Sequence, residues 1–499
     1  MVDLDYLSAG PLTRFFIRLG RWVKALPRRV GKALAAVPGR IAGVFYSMYA
    51  YLKDVCLMFL RGDFATRLSF LIMGFGCIRR GLYLRGFFYL LSQIAFWVFF
   101  FGFGITYIGK LPTLGTVAQG EVWNEELGIF EYTKGDNSML VLLYGIVSIL
   151  LFILICFVYF SSVRDSYKAQ CDAAEGVRKR TLAEGISSLS NENFHKTLLF
   201  FPTLSVVIFT VLPLIFMIML SFTNYDRFHM PPGNLFTWVG LENFRAIFGL
   251  SDTPLLGQTF GSILSWTLVW AFFATVSNYV LGMLLAILIN KKGIRPKKLF
   301  RTVFVLTIAV PQFVSLMFMR NLLADHGLVN VFLTQIGLID APIRFLTDGT
   351  IAKITVLLVN MWVGIPYSML ITTGILMNIP ADLYEASRID GASPVAQFMK
   401  ITLPYVLFIT TPYLITQFVG NINNFNVIWL LSGGGPMTGE FYQGGRTDLL
   451  ITWLYRITTG EQNYKLASVI GIITFVISAA FSLIVYSRSL KGDREGDFQ

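Results

Sequence analysis

The sequence predicts an all-α integral membrane protein with about eight transmembrane helices. Three observations predict this class: 55% of the 499 residues are hydrophobic, only 14% are charged, and the apolar residues gather into long runs. A soluble protein normally carries about 25% charged residues. A helix needs about 20 mostly apolar residues to cross the hydrocarbon core of a bilayer. These features disfavour a soluble multi-domain enzyme.

Eight apolar segments are long enough to cross a bilayer. We place them at 87–108, 139–160, 198–222, 262–289, 302–323, 351–378, 405–431 and 467–488. A further apolar run, 68–77, is too short to span. We expect it to lie at the membrane interface, and a re-entrant segment is the alternative.

Basic residues set the predicted orientation, because cytoplasmic loops carry an excess of Lys and Arg. Segment 161–197 and loop 291–301 are rich in both, whereas loop 109–138 contains four glutamates and two lysines. Loops 223–261 and 325–350 are poor in basic residues. We therefore predict a multi-pass protein of the cytoplasmic membrane with both termini in the cytoplasm.

The N-terminal region, 1–86, holds fourteen Lys and Arg against four Asp and Glu. Nucleic acid could attract such a region, but beside membrane spans it more often faces anionic lipid. Residues 11–60 mix apolar and basic residues at helical spacing, with breaks at Pro27 and Pro38. This pattern predicts short amphipathic helices on the inner leaflet, and a flexible basic tail is the alternative.

These features divide the chain into six segments. They are a cytoplasmic basic amphipathic N-terminal region (1–86), the first two transmembrane helices (87–160), a cytoplasmic linker (161–197), the third transmembrane helix with a short extracellular loop (198–258), a core domain (259–488) and a cytoplasmic tail (489–499).

Several classes of function are disfavoured by what the sequence lacks. The eight apolar segments contain no Asp or Glu, whereas carboxylates within a membrane usually mark ion pathways. The phosphate loop G-x-x-x-x-G-K-[ST] and the metal motif H-E-x-x-H are absent, and the four cysteines and three histidines form no ligand cluster. We expect no catalytic residue, metal or cofactor in this chain. An ion-coupled carrier and a membrane-embedded transferase are the rival classes.

Neutral polar residues do occur within the predicted spans. Asn278 lies in the fourth and Asn360 in the sixth, and several asparagines cluster near Gln417 in the seventh. An amide in hydrocarbon needs a hydrogen-bond partner, and a single amide usually joins two helices. A cluster with nearby aromatic residues favours the lining of a path for a polar, neutral solute. A sugar fits this description, since amides can bind its hydroxyl groups and aromatic faces its C–H surface.

The loop between the sixth and seventh spans carries the most specific motif. Residues 385–404 read EASRIDGASPVAQFMKITLP, and this loop resembles the EAA loop of type I permeases of ATP-binding-cassette importers. That pattern is E-A-A, three residues, G, nine residues and I-x-L-P, and only Ser387 departs from it. The resemblance implies the type I importer permease fold. It also assigns an ATPase-coupling role to Glu385, Ala386, Ser387, Asp390, Gly391, Ile401, Leu403 and Pro404.

The residue types of this loop suit a mechanical contact. Small residues at Ala386 and Ser387 allow close approach to a partner surface. Gly391 permits a turn between two short helices, and Pro404 can begin the next span. An ordinary pair of connecting helices is the alternative.

The resemblance covers the chain from about residue 200 onward. Four stretches are similar to the larger, MalF-type permease of maltose/maltodextrin importers: NMWVGIPY at 360–367, NINNFNVIWLL at 421–431, GGGP at 433–436 and TDLLITWLYR at 447–456. Carried over by motif, the sugar site would comprise Val363, Gly364, Tyr367, Gln417, Gly420, Asn421 and Asn424. A glycine at 420 replaces a large aromatic residue of the family pattern, so we expect a roomier site.

The resemblance also implies partners. They are a second permease subunit, two ATPase subunits that bind ATP and Mg²⁺, an extracellular solute-binding protein, the oligosaccharide and membrane lipid. Loop 223–261 is short where the family pattern inserts a large folded domain, so contact with the binding protein would rely on smaller loops. The expected function is import of maltodextrin-type oligosaccharides. A galacto- or arabino-oligosaccharide is the alternative solute, and an ion-coupled sugar carrier is the rival mechanism.

Overall fold

The computed structural model describes residues 37–133, 135–176, 191–251, 253–291 and 296–492, with isolated positions 184, 187 and 190. Residues 1–36, and with them the helix break expected at Pro27, lie outside the described part. The tail predicted at 489–499 is described only to residue 492. The chain divides into two compact units, unit 1 with residues 1–117 and 135–216, and unit 2 with residues 118–134 and 217–499.

The described part of unit 1 is helical. Its helices are α1 Val37–Arg61, α2 Phe64–Leu68, α3 Phe75–Arg79, α4 Tyr83–Lys110 and α5 Ser138–Ala174, followed by α6 Phe194–Leu220, which continues into unit 2. Helices α4 and α6 each contain a π-helical turn, at Phe100–Gly104 and Val207–Val211. Both turns lie in apolar sequence, and the helix continues on either side.

The described part of the N-terminal region, residues 37–86, is mostly helical. Pro38 lies in the first turn of α1, where its missing N–H has no intrahelical partner to lose. Whether a helix precedes Pro38 lies outside the described residues. Residues 68–77, which are predicted to lie at the membrane interface, pack within unit 1, where Met73 and Cys77 are only 2% and 0% exposed. Helices α2 and α3 pack against α5. The position of this segment at the interface stays a prediction.

A buried arginine holds this packing together. The Arg80 guanidinium donates to the carbonyl oxygen of Ser166 on α5 at 2.8 Å and to the Asp63 carboxylate at 2.6 Å. Gly74 N–H donates to the Ser162 hydroxyl, also on α5, at 2.8 Å. A backbone carbonyl and a serine hydroxyl of α5 therefore accept hydrogen bonds from buried donors that would otherwise lack partners.

Unit 2 contains a short hairpin and the remaining helices. Its elements are β1 Gly120–Asn124 and β2 Ile129–Thr133, which pair antiparallel, then α7 Glu242–Ile247, α8 Pro254–Asn290, α9 Lys297–Ala309, α10 Gln312–Leu322, α11 Leu328–Gln335, α12 Gly349–Leu376, α13 Ala381–Ile389, α14 (Pro394–Gln397, the π-helical turn Phe398–Thr402 and Leu403–Ile422), α15 Phe425–Leu431, α16 Leu450–Gly460 and α17 Tyr464–Gly492.

Within the described residues, seven helices are long and apolar enough to cross a membrane, or eight if a bent pair counts as one span. The predicted spans are thus confirmed in number and approximate position, with two corrections. The fifth, expected as one helix at 302–323, is bent by 90° between α9 and α10. Pro311 causes this break, because proline lacks an N–H and keeps the preceding residue, Val310, in an extended conformation.

The seventh predicted span, 405–431, differs at both ends. Its helix begins at Pro394 rather than Pro404, and the π-helical turn before Pro404 accommodates the missing N–H. Near the other end the helix stops at Ile422, and α15 starts anew beyond Asn424. The Asn424 side chain accepts a hydrogen bond from Val427 N–H at 3.2 Å, which caps this second helix.

Helices α8 and α12 form the centre of unit 2. They pack along each other at close range because glycines occupy the crossing. A Cβ atom at Gly282 would lie 2.9 Å from the backbone nitrogen of Met369 on α12. Farther along α8, Trp270 is 0% exposed and packs in one cluster with Val356 and Ile428. This crossing fixes where the side chains of α8 and α12 meet.

An ion-pair cluster of Asp226, His229 and Lys465 joins the segment after α6 to the start of α17. The Asp226 carboxylate accepts hydrogen bonds from Lys465 Nζ and His229 Nδ1, both at 2.8 Å. Burial raises the pKa of this carboxyl, but the bonds from Lys465 and His229 outweigh burial, so its pKa lies below the usual value. The carboxylate is therefore ionised at neutral pH.

Candidate functional site

A cavity of about 540 Å³ lies within unit 2. Its wall is formed by α8, α12 and α14, by the break between α9 and α10, and by the break before α15. Six of the seven predicted sugar-site residues line it: Val363, Gly364, Tyr367, Gln417, Asn421 and Asn424. The structure therefore brings together residues that are separated by more than fifty positions in the sequence.

Helical spacing explains why these residues share one wall. Tyr367 lies three residues after Gly364 and four after Val363 on α12, about one helical turn from each, so both flank the same face as its side chain. Gln417 and Asn421 are likewise one turn apart on α14. The side chain of Tyr367 is 49% exposed, which leaves its ring accessible for stacking against an apolar surface. Each wall thus combines polar groups with an aromatic face.

Gly420 is not among the residues that line the cavity. It is exposed on α14, and a Cβ atom at this position would meet no described atom within 4 Å. The space that a larger side chain would fill at position 420 therefore lies outside the cavity wall. The roomier site stays a prediction.

Two of the predicted residues also hold the helices together. Asn421 is 7% exposed, its amide donates to the Thr275 hydroxyl on α8 at 3.0 Å, and its backbone oxygen accepts from Trp270 Nε1 at 3.1 Å. The Asn424 amide donates to Asn421 Oδ1 at 3.2 Å. Much of the hydrogen-bonding capacity of this pair is consequently used within the protein.

The motifs missed several wall residues, among them Asn278, Gln312, Asn360, Trp362 and Tyr413. Trp362 lies inside the NMWVGIPY stretch, and Tyr413 lies one helical turn before Gln417 on α14. Gln312 directly follows the proline break of the fifth span, and its side chain accepts a bond from Asn426 at 3.4 Å. A polar residue after a proline inside an apolar segment is a signal that could have found it.

The wall carries no formal charge among the described residues that form it. Its polar groups are amides and hydroxyls, and its apolar groups include the rings of Trp362 and Tyr367. Such a surface can bind hydroxyl groups through hydrogen bonds and can stack against C–H surfaces. The cavity therefore suits a neutral, polyhydroxylated solute better than an ion.

The predicted coupling loop forms a helix–turn–helix. Gly391 lies between α13 and α14 with φ of +74°, which confirms the turn expected there. The Ser387 hydroxyl accepts from the Gln397 amide at 2.8 Å and donates to the Tyr384 carbonyl oxygen at 2.9 Å. The Ser387 hydroxyl is thus used within the loop. The contact of this residue with a partner stays a prediction.

The opposite face of the loop is exposed. Glu385, Ala386 and Asp390 are all accessible, and Ile389 is 88% exposed. A second internal bond joins the hydroxyls of Tyr384 and Thr402 at 2.8 Å, and so ties α13 to the first turns of α14. Force applied to the exposed face can therefore pass into α14 without first deforming the loop.

A bundle of apolar spans around a neutral polar cavity, with a rigid and exposed helix pair at one end, defines the membrane subunit of a transport system. A family model described as "Binding-protein-dependent transport system inner membrane component" matches residues 278–489. The chain belongs to this family, whose members are transmembrane subunits, and it is itself a multi-pass membrane protein of the ATP-binding-cassette permease type.

Curated relatives support this assignment over most of their length. The galactooligosaccharides transport system permease protein GanP of Bacillus subtilis is 38% identical over 71% of this chain and 85% of its own. The maltodextrin transport system permease protein MalC of Streptococcus pneumoniae is 35% identical over 85% of this chain and 95% of its own.

A solved structure supports the fold alone. It is described as a bacterial ABC transporter involved in the import of the acidic polysaccharide alginate, and it matches with a TM-score of 0.50 at 22% identity. The match covers 61% of this chain and 98% of that one. The helical arrangement expected from the EAA-like loop is thereby confirmed.

Proposed function

We propose that this chain is the larger permease subunit of an ATP-binding-cassette importer that carries maltodextrin-type oligosaccharides across the cytoplasmic membrane. The observation that carries the proposal is the uncharged polar cavity of about 540 Å³ inside unit 2. Its size falls within the range of about 300–1,000 Å³ that is typical of small-molecule sites. The relative MalC, named for maltodextrin transport, supports the choice of solute.

The proposed mechanism is mechanical. The cavity opens alternately to either side of the membrane, and amides and aromatic rings replace the water that hydrates the sugar. A second permease would complete the pathway, and an extracellular binding protein would deliver the solute. Two ATPase subunits, which bind ATP and Mg²⁺, would supply the free energy through the exposed face at Glu385 and Ile389. Both termini would lie in the cytoplasm, on the side of this face.

A galactooligosaccharide is the second candidate solute. The relative GanP, named for galactooligosaccharide transport, is 38% identical to this chain and supports this alternative. Both sugar classes are neutral and rich in hydroxyl groups, so the composition of the wall fits either. The order of hydroxyl groups around each ring distinguishes them, and this difference is read by the positions of amides rather than by their number.

Uptake into proteoliposomes tests the proposal. The chain would be reconstituted with the second permease, the ATPase and the binding protein encoded beside it, and labelled maltotriose and galactotriose would be supplied in turn. We expect ATP-dependent uptake of maltotriose and much slower uptake of galactotriose. The reverse preference would support the second candidate. Uptake that follows an ion gradient without ATP would contradict both, and would favour the ion-coupled rival.

A matched pair of loop variants tests the coupling role. Glu385→Lys reverses the charge of the exposed face, whereas Lys400→Glu reverses an exposed charge on the first turns of α14. We expect only the first variant to lose sugar-stimulated ATP hydrolysis. Equal hydrolysis in both would remove Glu385 from the coupling contact.

A further inference from the structure

The hairpin of β1 and β2 presents an open aromatic face. Its register pairs Trp123 with Phe130 and Glu121 with Tyr132. Side chains alternate between the two faces of a strand, so these four residues lie on one face. The rings of Trp123 and Phe130 meet edge to face, with their centroids 4.9 Å apart. Trp123, Phe130 and Tyr132 are 50%, 62% and 70% exposed, so most of this aromatic surface is accessible.

The hairpin is also strongly acidic. The sequence from 120 to 133 contains four glutamates and neither Lys nor Arg. All four glutamates are exposed: Glu121, Glu125, Glu126 and Glu131. Solvation accounts for the glutamates but not for three accessible rings beside them, since an exposed apolar patch with a polar rim usually marks an interaction surface.

The two chain segments that flank the hairpin, both in unit 1, are held together. The Asp136 carboxylate accepts hydrogen bonds from Lys110 Nζ at 2.6 Å and from Thr116 N–H at 3.0 Å. Asp136 N–H donates to the Val117 carbonyl oxygen at 2.7 Å. The bond from Lys110 lowers the pKa of this carboxyl, which is therefore ionised at neutral pH. A hairpin with fixed ends loses less conformational freedom on binding than a free loop.

The order of the spans gives the side of the membrane on which the hairpin lies. The hairpin follows the first span, α4, whereas the coupling loop follows the sixth, α12. With the bent pair α9 and α10 counted as one span, five crossings separate the two, and an odd number places them on opposite sides. If the ATPase subunits bind the coupling loop, the hairpin faces the exterior.

Charge decides between three occupants of the aromatic face. An anionic lipid leaflet would repel the four carboxylates, and a neutral oligosaccharide offers no opposite charge. A protein surface in which Lys and Arg surround apolar side chains complements both the rings and the glutamates. We infer that the aromatic face of this hairpin binds the extracellular solute-binding protein, on a surface that is apolar at its centre and basic at its rim. The inference rests on the proposed function, which requires such a protein.

The size of the aromatic face sets its share of the contact. An aromatic side chain buries about 150–250 Å², so three of them supply at most about 450–750 Å². A specific protein interface needs about 800 Å² from each partner. The hairpin therefore forms the centre of the contact, and other short loops on the same side of the membrane complete it.

Titration with the binding protein tests the inference. The complete complex of this chain, the second permease and the ATPase would be placed in nanodiscs, and ATP hydrolysis would be measured as maltotriose-loaded binding protein is added. Trp123→Ala removes the largest ring of the face. We expect the half-saturating concentration of binding protein to rise at least about tenfold, because central aromatic residues dominate such interfaces. An unchanged half-saturating concentration would overturn the inference.

Two glutamates provide a matched pair of charge reversals. Glu121 lies beside the rings, whereas Glu131 pairs with Val122 on the opposite face. We expect Glu121→Lys to raise the half-saturating concentration by about threefold to tenfold. Glu131→Lys should raise it by less than about twofold at 0.15 M salt, where the screening length is about 8 Å. Equal effects of the two reversals would show a general influence of net charge and would overturn the assignment of this face.

Photocrosslinking tests the contact without removing a ring. A benzophenone-bearing phenylalanine would be placed at Phe130, on the aromatic face, or at Ile129, which is 52% exposed and pairs with Asn124 on the opposite face. We expect a product with the binding protein from position 130 and none from 129. A product with lipid or with the second permease at 130, or no product there, would overturn the inference. Failure of the unaltered complex to respond to the binding protein or to import sugar would instead overturn the proposed function.

Discussion

The two helices at the centre of unit 2, α8 and α12, are buried more deeply than the first two spans of unit 1. In unit 1, 11% of the most apolar window of α4 and 28% of that of α5 are buried, against 44% in α8 and 39% in α12 of unit 2. The sparsely buried spans expose aromatic and aliphatic side chains, such as Phe101 at 65%. The more deeply buried pair, α8 and α12, forms two walls of the polar cavity, and polar groups on such helices need partners from neighbouring helices. The span of α14 and α15 also lines the cavity, but only 17% of its most apolar window is buried.

The largest effect on stability is expected at the crossing of α8 and α12. Gly282→Leu places a side chain against Ser368 and the backbone of Met369, which cannot move without separating the helices. We expect the free energy of unfolding to fall by about 3 kcal/mol, measured by thermal unfolding in detergent. Gly261→Leu on the same helix is the control, since a Cβ atom there meets nothing within 4 Å. Equal effects of the two variants would refute the tight crossing.

A substitution in the packing of unit 1 should lower the unfolding free energy without changing the affinity for sugar. Arg80→Gln removes bonds to the Ser166 carbonyl and to the Asp63 carboxylate, which is half exposed and can be solvated. We expect a loss of about 2 kcal/mol in unfolding free energy with no change in the Kd for maltotriose. Arg79→Gln, at an exposed neighbouring position, should change stability by less than about 0.5 kcal/mol. A changed Kd in Arg80→Gln would contradict the expectation that this packing in unit 1 does not affect sugar binding.

The coupling loop of unit 2 should depend on backbone conformation. Gly391 has φ of +74°, and a Cβ atom there would meet nothing within 4 Å, so only backbone strain opposes a substitution. We expect Gly391→Val to cost about 1–2 kcal/mol and to reduce sugar-stimulated ATP hydrolysis. Asparagine tolerates the left-handed region, so Gly391→Asn should retain most of that hydrolysis. Identical losses in both variants would show that the turn needs the glycine for another reason.

The smallest effect is expected at the ion-pair cluster of Asp226, His229 and Lys465 in unit 2. Asp226→Asn weakens the bonds to Lys465 and His229, and we expect a loss of about 1 kcal/mol because the pair is partly exposed. The pKa of Asp226 lies below its usual value, so this stabilisation is present above pH of about 4 and disappears as the pH falls further. Unfolding temperatures across this range test the sign. Asp340→Asn, at an exposed loop position, should not alter the pH dependence.

Much of the candidate site was predictable because its signals are local. Val363, Gly364 and Tyr367 share one motif, and Gln417 and Asn421 follow helical spacing. Asn278 stood out as a polar residue in an apolar span, but a single buried amide usually joins two helices. The structure places Asn278 in the cavity wall, which its residue type alone does not predict.

Predictions failed where neighbouring elements decide the outcome. Pro404 has the residue type of a helix start, but the helix begins at Pro394, and a π-helical turn absorbs the later proline. The seventh span was expected to run to residue 431, but its helix stops at Ile422 and α15 begins beyond Asn424. Both outcomes depend on backbone geometry that residue type does not specify.

The sequence by itself determined the class, the approximate number of spans and the EAA-like motif, since these depend on the length of apolar runs and on residues close together in the chain. The tertiary structure alone decided which amides meet in the cavity and which lack partners. The physical reason is that hydrogen bonds between helices depend on the crossing of α8 and α12, and this crossing is set by glycines whose effect appears only when two helices touch.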